Sequence, residues 1–219
     1  MKLSPISIIV YTIAATIGLY LIESLIHPTY GYLLILKVTF FLLVPLWMWY
    51  FFKKSIGKFW KWSSDTWKFG IGFGLLSMLI IGITYLLLRE SIDWQAIGAS
   101  MSARHINETT FLLVFLYIMF GNSLLEEYFF RGIVFRQMLP VSKIVAYILS
   151  ALMFSLYHMT IFQTWFMGWI LILALFGLFM GGIFFAWLYE KTGGIWSAWI
   201  FHIFADCIIL IIGYTVFFS

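Results

Sequence analysis

Six ionisable side chains, Glu126, Glu127, Arg131, His158, His202 and Asp206, interrupt runs of residues that are otherwise apolar. A charge near the centre of a bilayer costs from about 2.5 kcal/mol upward, so such side chains line a cavity and pair with one another. Together they hold the parts of general acid–base chemistry: carboxylates, imidazoles that accept or donate protons, and a cation to balance charge. In a chain with 10% charged residues, packing alone does not explain such a cluster. It reads as an active site inside a membrane.

The spacing assigns roles. Asn122 and Glu126 are four apart, as are Ser123, Glu127 and Arg131 in turn, and residues four apart share a helix face. Glu127 and Arg131 are the natural ion pair, because an unpaired buried charge is strongly destabilising. Glu126 points about 100° away from Glu127 and is left free for chemistry. His202 and Asp206 form a second pair one turn apart, where a carboxylate accepts from His202 and fixes its tautomer. His158 closes the turn Phe154-Ser-Leu-Tyr-His158. Alone, a histidine flanked by apolar residues is more often a hydrogen-bonded core residue than a catalyst, so its weight comes from the constellation.

These groups need long apolar elements to carry them. Of the 219 residues, 63% are hydrophobic and 21% aromatic, against about 45–50% apolar in soluble domains. The composition predicts one all-α integral membrane domain over 1–219, a polytopic transmembrane helix bundle. A span needs roughly 20 apolar residues, which predicts seven helices: Pro5–Ile26, Tyr30–Phe52, Phe69–Leu88, Phe111–Gln137, Ser142–His158, Trp165–Tyr189 and Ile195–Phe217. The first is read as an uncleaved span, since no small-residue cleavage site follows it. Pro45 is expected to kink the second. Gly177, Gly181 and Gly182 predict close packing or a break in the sixth. The loop Arg89–Thr110 is the candidate for a segment lying on the surface. Cys207, the single cysteine, reads as a small packed side chain.

The net charge of +4 does not indicate nucleic acid. Of 13 basic residues, 10 fall on one side: Lys2, Lys53, Lys54, Lys58, Lys61, Lys68, Arg131, Arg136, Lys143 and Lys191. The exceptions are Lys37, Arg89 and Arg104. The positive-inside rule then predicts a multi-pass cell-membrane protein with its N-terminus cytoplasmic and its C-terminus outside. Measured along the helices from the cytoplasmic turns, Glu126 and His158 lie roughly 20 Å deep and His202 roughly 16 Å. Three helices thus bring their polar groups to similar depths.

Glu126-Glu127-Tyr-Phe-Phe-Arg131 resembles the Glu-Glu-x-x-x-Arg motif of the CAAX protease and bacteriocin-processing (CPBP, or Abi) family of intramembrane proteases. Phe154–His158 resembles its Phe-x-x-x-His motif, and His202–Asp206 its His-x-x-x-Asn/Asp motif. Order and spacing agree over a core of about 111–217, and Thr192–Ser197, leading into the last helix, also looks like the family. The N-terminal half contributes only spans. The resemblance implies an intramembrane endopeptidase whose Glu126 activates the attacking water with His158 beside it. His202 and Asp206 would then orient the substrate or stabilise the oxyanion. Ras-converting members carry Asn where this chain has Asp206, and an anion does not donate to an oxyanion, so Asp206 is expected to orient His202 instead.

Peptide hydrolysis also needs positive character at the developing oxyanion. A zinc ion held by Glu126, His158 and His202 would supply it and ionise a bound water; a metal-free route with Glu126 as base and histidine donors would serve as well. No His-Glu-x-x-His signature is present, and the sequence leaves both open. The expected partners are the lipid bilayer and a peptide or membrane-protein substrate. The rival reading is a non-proteolytic membrane protein that binds a partner, such as a bacteriocin immunity factor or regulatory scaffold. A proton-relay transporter fits the intramembrane charges but lacks any visible repeat of spans.

Overall fold

The computed structural model describes residues 4–26, 28–51 and 59–218. Phe52 and four lysines of the topology argument, Lys2, Lys53, Lys54 and Lys58, lie outside them. Among the described residues there is no strand, and seven helices are long and apolar enough to cross a membrane. They are α1 (Pro5–Ile26), α2 (Tyr30–Phe51), α3 (Ser64–Ser91), α5 (Glu108–Met138), α6 (Lys143–Trp165), α7 (Gly168–Thr192) and α8 (Trp196–Phe217), with a short α4 (Trp94–Ala103) between α3 and α5. The all-helical, seven-span expectation is met. Large apolar side chains such as Ile6, Leu25, Leu79 and Leu87 face outward, as a lipid solvent requires.

The ends of the helices differ from expectation for local reasons. α3 begins at Ser64 because the Ser63 N–H donates to the Thr66 hydroxyl at 3.0 Å, capping the first turn five residues before Phe69. α6 continues past His158 to Trp165. Its polar residues stay helical because the hydroxyls of Thr160 and Thr164 donate to the carbonyls of Tyr157 and Ile161. Gln163 meanwhile bonds Tyr20 and Ser24 of α1. The Arg89–Thr110 loop carries α4, capped by Asp93, whose Ile97 and Met101 pack with Phe111.

Among the described residues, three stretches have the wider π-helical pitch: Thr39–Leu43 in α2, and Tyr117–Asn122 and Tyr128–Phe135 in α5. Such turns concentrate at functional sites. Pro45 lies just beyond the first of them. Its ring crowds the carbonyl four residues back, at Phe41, and Phe41 sits inside the widened turn.

α5 runs through the middle of the bundle, with all of Tyr128–Phe135 buried. α3 packs along α8 and α6 along α7. Small residues allow both approaches. A Cβ on Gly70 or Gly74 of α3 would sit 2.8 Å from Ile200 or 2.7 Å from Phe204 of α8, and one on Gly182 of α7 would meet the Ala151 Cα at 2.8 Å. α7 is unbroken, so of the three glycines in doubt it is Gly182 that packs closely; Gly177 and Gly181 face open space. Gly74→Leu is therefore expected to cost about 1–3 kcal/mol, and Gly177→Leu far less. Unfolding midpoints of the two purified proteins in detergent check this, and equal midpoints would contradict it. Between α7 and α8, Gly193 takes a left-handed φ of 75°, and the Ile195 N–H closes on the Phe59 carbonyl at 3.0 Å.

Candidate active site

Glu126 and Glu127 occupy the short regular stretch of α5 between its two wide turns. Both carboxylates are buried, with 1% and 0% of their side-chain surfaces exposed. Arg131, one turn on, donates to Glu127 Oε1 at 2.9 Å and to the Gly182 carbonyl of α7 at 3.3 Å. Its guanidinium carbon lies 4.5 Å and 4.4 Å from the ring centres of Phe154 and Phe185. A planar, weakly hydrated cation is suited to such aromatic neighbours. The expected ion pair is present, and its surroundings come from three helices.

Glu126 is turned the other way. Its Oε1 accepts from Asn122 Nδ2 at 2.6 Å. Its Oε2 has no hydrogen-bond partner in the protein and lies 3.7 Å from His158 Nε2 on α6 and 3.8 Å from His202 Nε2 on α8. The three residues that the depth argument brought together do meet.

The other nitrogen of each imidazole is already occupied. His158 Nδ1 donates to the Phe154 carbonyl at 2.8 Å, and His202 Nδ1 donates to Glu127 Oε1 at 2.9 Å. A neutral ring carries one N–H only, so in that form each Nε2 presents a lone pair to Glu126 Oε2. Asp206 Oδ1 adds a further acceptor, 3.8 Å from His202 Nε2, and its Oδ2 is buried without a partner. With both rings neutral, four acceptors face one small space. Separations of 3.7–3.8 Å exceed a direct hydrogen bond and suit a bridging water.

One role needs correction. Asp206 was expected to accept from His202 and fix its tautomer, but Glu127 does so, serving Arg131 and His202 with the same oxygen. Asp206 stands on the Nε2 side, facing the same small space as Glu126 Oε2. The rotation of α8 decides this, because it carries the Nδ1 edge of His202 toward α5. Replacing Asp206 by Asn then leaves the tautomer untouched and brings an N–H donor to that space. Asp206→Asn is expected to keep activity within about threefold and Asp206→Ala to lose about tenfold or more. Rates of the purified variants on one peptide check this, and an Asn variant as impaired as the Ala variant would contradict it.

The donor types suit zinc, and each Nδ1 is held as a zinc ligand's would be. The spacing does not. Nitrogen and oxygen ligands of tetrahedral zinc lie roughly 3.3–3.4 Å apart, and among the described residues no three His, Cys, Asp or Glu side chains are grouped so as to hold a metal ion. As placed, the residues do not fit a metal, and no step below runs through one.

Sequence reasoning left out Lys37, whose Nζ donates to Asn122 Oδ1 at 3.0 Å, and the aromatic rings around Arg131. It counted Lys37 and Arg104 as exceptions to the charge rule. Arg104 is paired with Glu23 of α1 at 2.6 Å, and Arg89 with Glu90 at 3.2 Å.

Residues 108–208 match the protein-family model described as Rce1-like, type II CAAX prenyl endopeptidase Rce1-like. The match is consistent with the resemblance of the motifs to the CPBP family. The matched segment begins with α5 and ends inside α8, and it carries all three motifs of the resemblance. This is a family of membrane-embedded endopeptidases acting on peptides, and the seven apolar helices make the chain a multi-pass membrane protein. No curated protein and no solved structure matches the chain.

Proposed function

We propose that the chain is an intramembrane endopeptidase that hydrolyses a peptide bond with a water activated by Glu126, and that the CPBP-like core 111–217 holds the catalytic groups. The observation behind this reading is the convergence of His158 Nε2 and His202 Nε2 on Glu126 Oε2 at 3.7 and 3.8 Å. A water among acceptors only must direct its protons at them, one to Glu126 Oε2 and one to an imidazole. Its lone pairs then face outward, toward a scissile carbonyl carbon.

As the water oxygen bonds to that carbon, Glu126 takes its proton. Glu126 then delivers the proton to the amide nitrogen as the C–N bond breaks, leaving a carboxylic acid and an amine. His158 and His202 orient the water and, when protonated at Nε2, donate to the oxyanion. Glu127 and Arg131 hold His202 from behind. Asp206 lines the substrate side. The same reading keeps the N-terminus cytoplasmic: two of the three cations that break the charge rule, Lys37 and Arg104, bond partners within the bundle.

The family description makes a peptide ending in a farnesylated Cys-aliphatic-aliphatic-Met the first probe. Purified protein in liposomes is given that peptide, internally quenched, beside its unfarnesylated twin. Cleavage by the parent and none by Glu126→Gln is the expected result; equal cleavage by both proteins would remove Glu126 from the chemistry. Activity is expected to survive a chelator in protein of low metal content. Stoichiometric zinc, lost in both Glu126→Gln and His158→Ala, would replace this route with a metal-assisted one.

A further inference from the structure

Lys37 belongs to α2, in the half of the chain that the family match leaves out. Its Nζ donates to Asn122 Oδ1 at 3.0 Å and lies 5.2 Å from the centre of the Tyr157 ring. Asn122 Nδ2 in turn donates to Glu126 Oε1 at 2.6 Å. An ammonium group only donates, so it decides which end of the amide it faces. With Oδ1 toward Lys37, Nδ2 is left for Glu126. Turned over, the amide would set its oxygen against a carboxylate oxygen. The two oxygens of Glu126 are thereby sorted: Oε1 is engaged, and Oε2 is left for the histidines.

The surroundings suit a cation with this task. A cavity of about 20 Å³ lies beside Lys37, lined also by Glu23, Tyr30, Arg104 and Tyr117, and its size is enough for about one water. The carboxylate of that cavity, Glu23, is held by Arg104 at 2.6 Å. Lys37 directs its charge at the amide and the face of Tyr157, the residue next to His158.

We infer that Lys37 is a positioning residue for the reaction: through the Asn122 amide it holds Glu126 so that Oε2 faces the attacking water. The inference rests on Glu126 being the base. It also gives the N-terminal half a part in the chemistry, and it accounts for a lysine in the middle of an apolar span.

The test compares Lys37→Met, Asn122→Ala, the double variant and Glu126→Gln, as full chains in liposomes on the quenched peptide. Lys37→Met and Asn122→Ala are each expected to lower kcat by about 10- to 100-fold. KM should stay within about twofold, because the contact acts on the base and not on the substrate. The double variant should be no slower than the slower single one, since both act through one amide. Losses that multiply in the double variant, a change in KM alone, or a Lys37→Met protein at the parent rate would each overturn the role. Should Lys37→Met not fold, Lys37→Gln takes its place, since a neutral amide both donates and accepts and no longer decides which end of Asn122 it faces. A loss like that of Asn122→Ala supports the inference, and parent activity overturns it. An active Glu126→Gln protein would instead strike at the base itself, whatever Lys37 does.

Discussion

Glu127→Ala is expected to destabilise the protein by about 3–5 kcal/mol, the range for breaking a buried ion pair by removing one partner. Glu127 is fully buried, and one of its oxygens accepts from both Arg131 and His202 at 2.9 Å. Without it, the guanidinium keeps the Gly182 carbonyl at 3.3 Å and the faces of Phe130, Phe154 and Phe185, none of which balances its charge. His202 loses the acceptor that sets its tautomer. Glu127→Gln should be milder, because an acceptor oxygen remains. Yield and unfolding midpoint of the purified variants check this. An alanine variant as stable as the parent would mean that Arg131 finds another counter-charge.

Glu126→Gln should behave in the opposite way, folding normally while losing a factor of about 10²–10⁴ in turnover, the usual contribution of a positioned base. The amide has nearly the shape of the carboxylate, and its oxygen can keep the Asn122 contact. It also removes one acceptor from a space where four converge, so the variant should unfold at the parent's temperature or above, as active-site replacements often do. Stability and turnover measured on one preparation separate the two glutamates. If Glu126 and Glu127 variants fell equally in both, the division between base and support would be wrong.

How far the sequence reached depends on the kind of contact. Spans were legible because roughly 20 apolar residues in a row leave little choice in a bilayer. One pairing within a helix was legible too: Glu127–Arg131 is found as its spacing requires. Helix ends were less so. The polar residues after His158 suggested an end to α6, yet Thr160 and Thr164 satisfy their hydroxyls on their own helix. Between helices, the shared depth of Glu126, His158 and His202 was legible, but not which atoms face one another. Whether His202 turns its Nδ1 to Asp206, four residues away, or to Glu127, 75 residues away, depends on the rotation of α8 against α5. That rotation follows from where Gly70 and Gly74 let α3 press on α8 and from the wide turns of α5. Lys37 was passed over because α2 shows nothing but an apolar pattern, and its partner Asn122 is 85 residues away.

The buried pair on α5 also bears on how the chain enters the bilayer. Each charged residue at the centre of a span opposes insertion by about 2.5–3.5 kcal/mol, and α5 carries three: Glu126, Glu127 and Arg131. The other groups that Arg131 touches, Phe154, Gly182 and Phe185, belong to α6 and α7, which are synthesised later. Until they arrive, Arg131 has only its own helix to answer its charge. Because Glu127 and Arg131 are one turn apart on the same helix, the pair can form as the segment leaves the translocation machinery, before any tertiary contact exists. Asn122 offers Glu126 a local donor in the same way. The arrangement that later supports the histidine thus serves first as a passport for the helix, letting a span with three charges partition into lipid ahead of the spans that will enclose it.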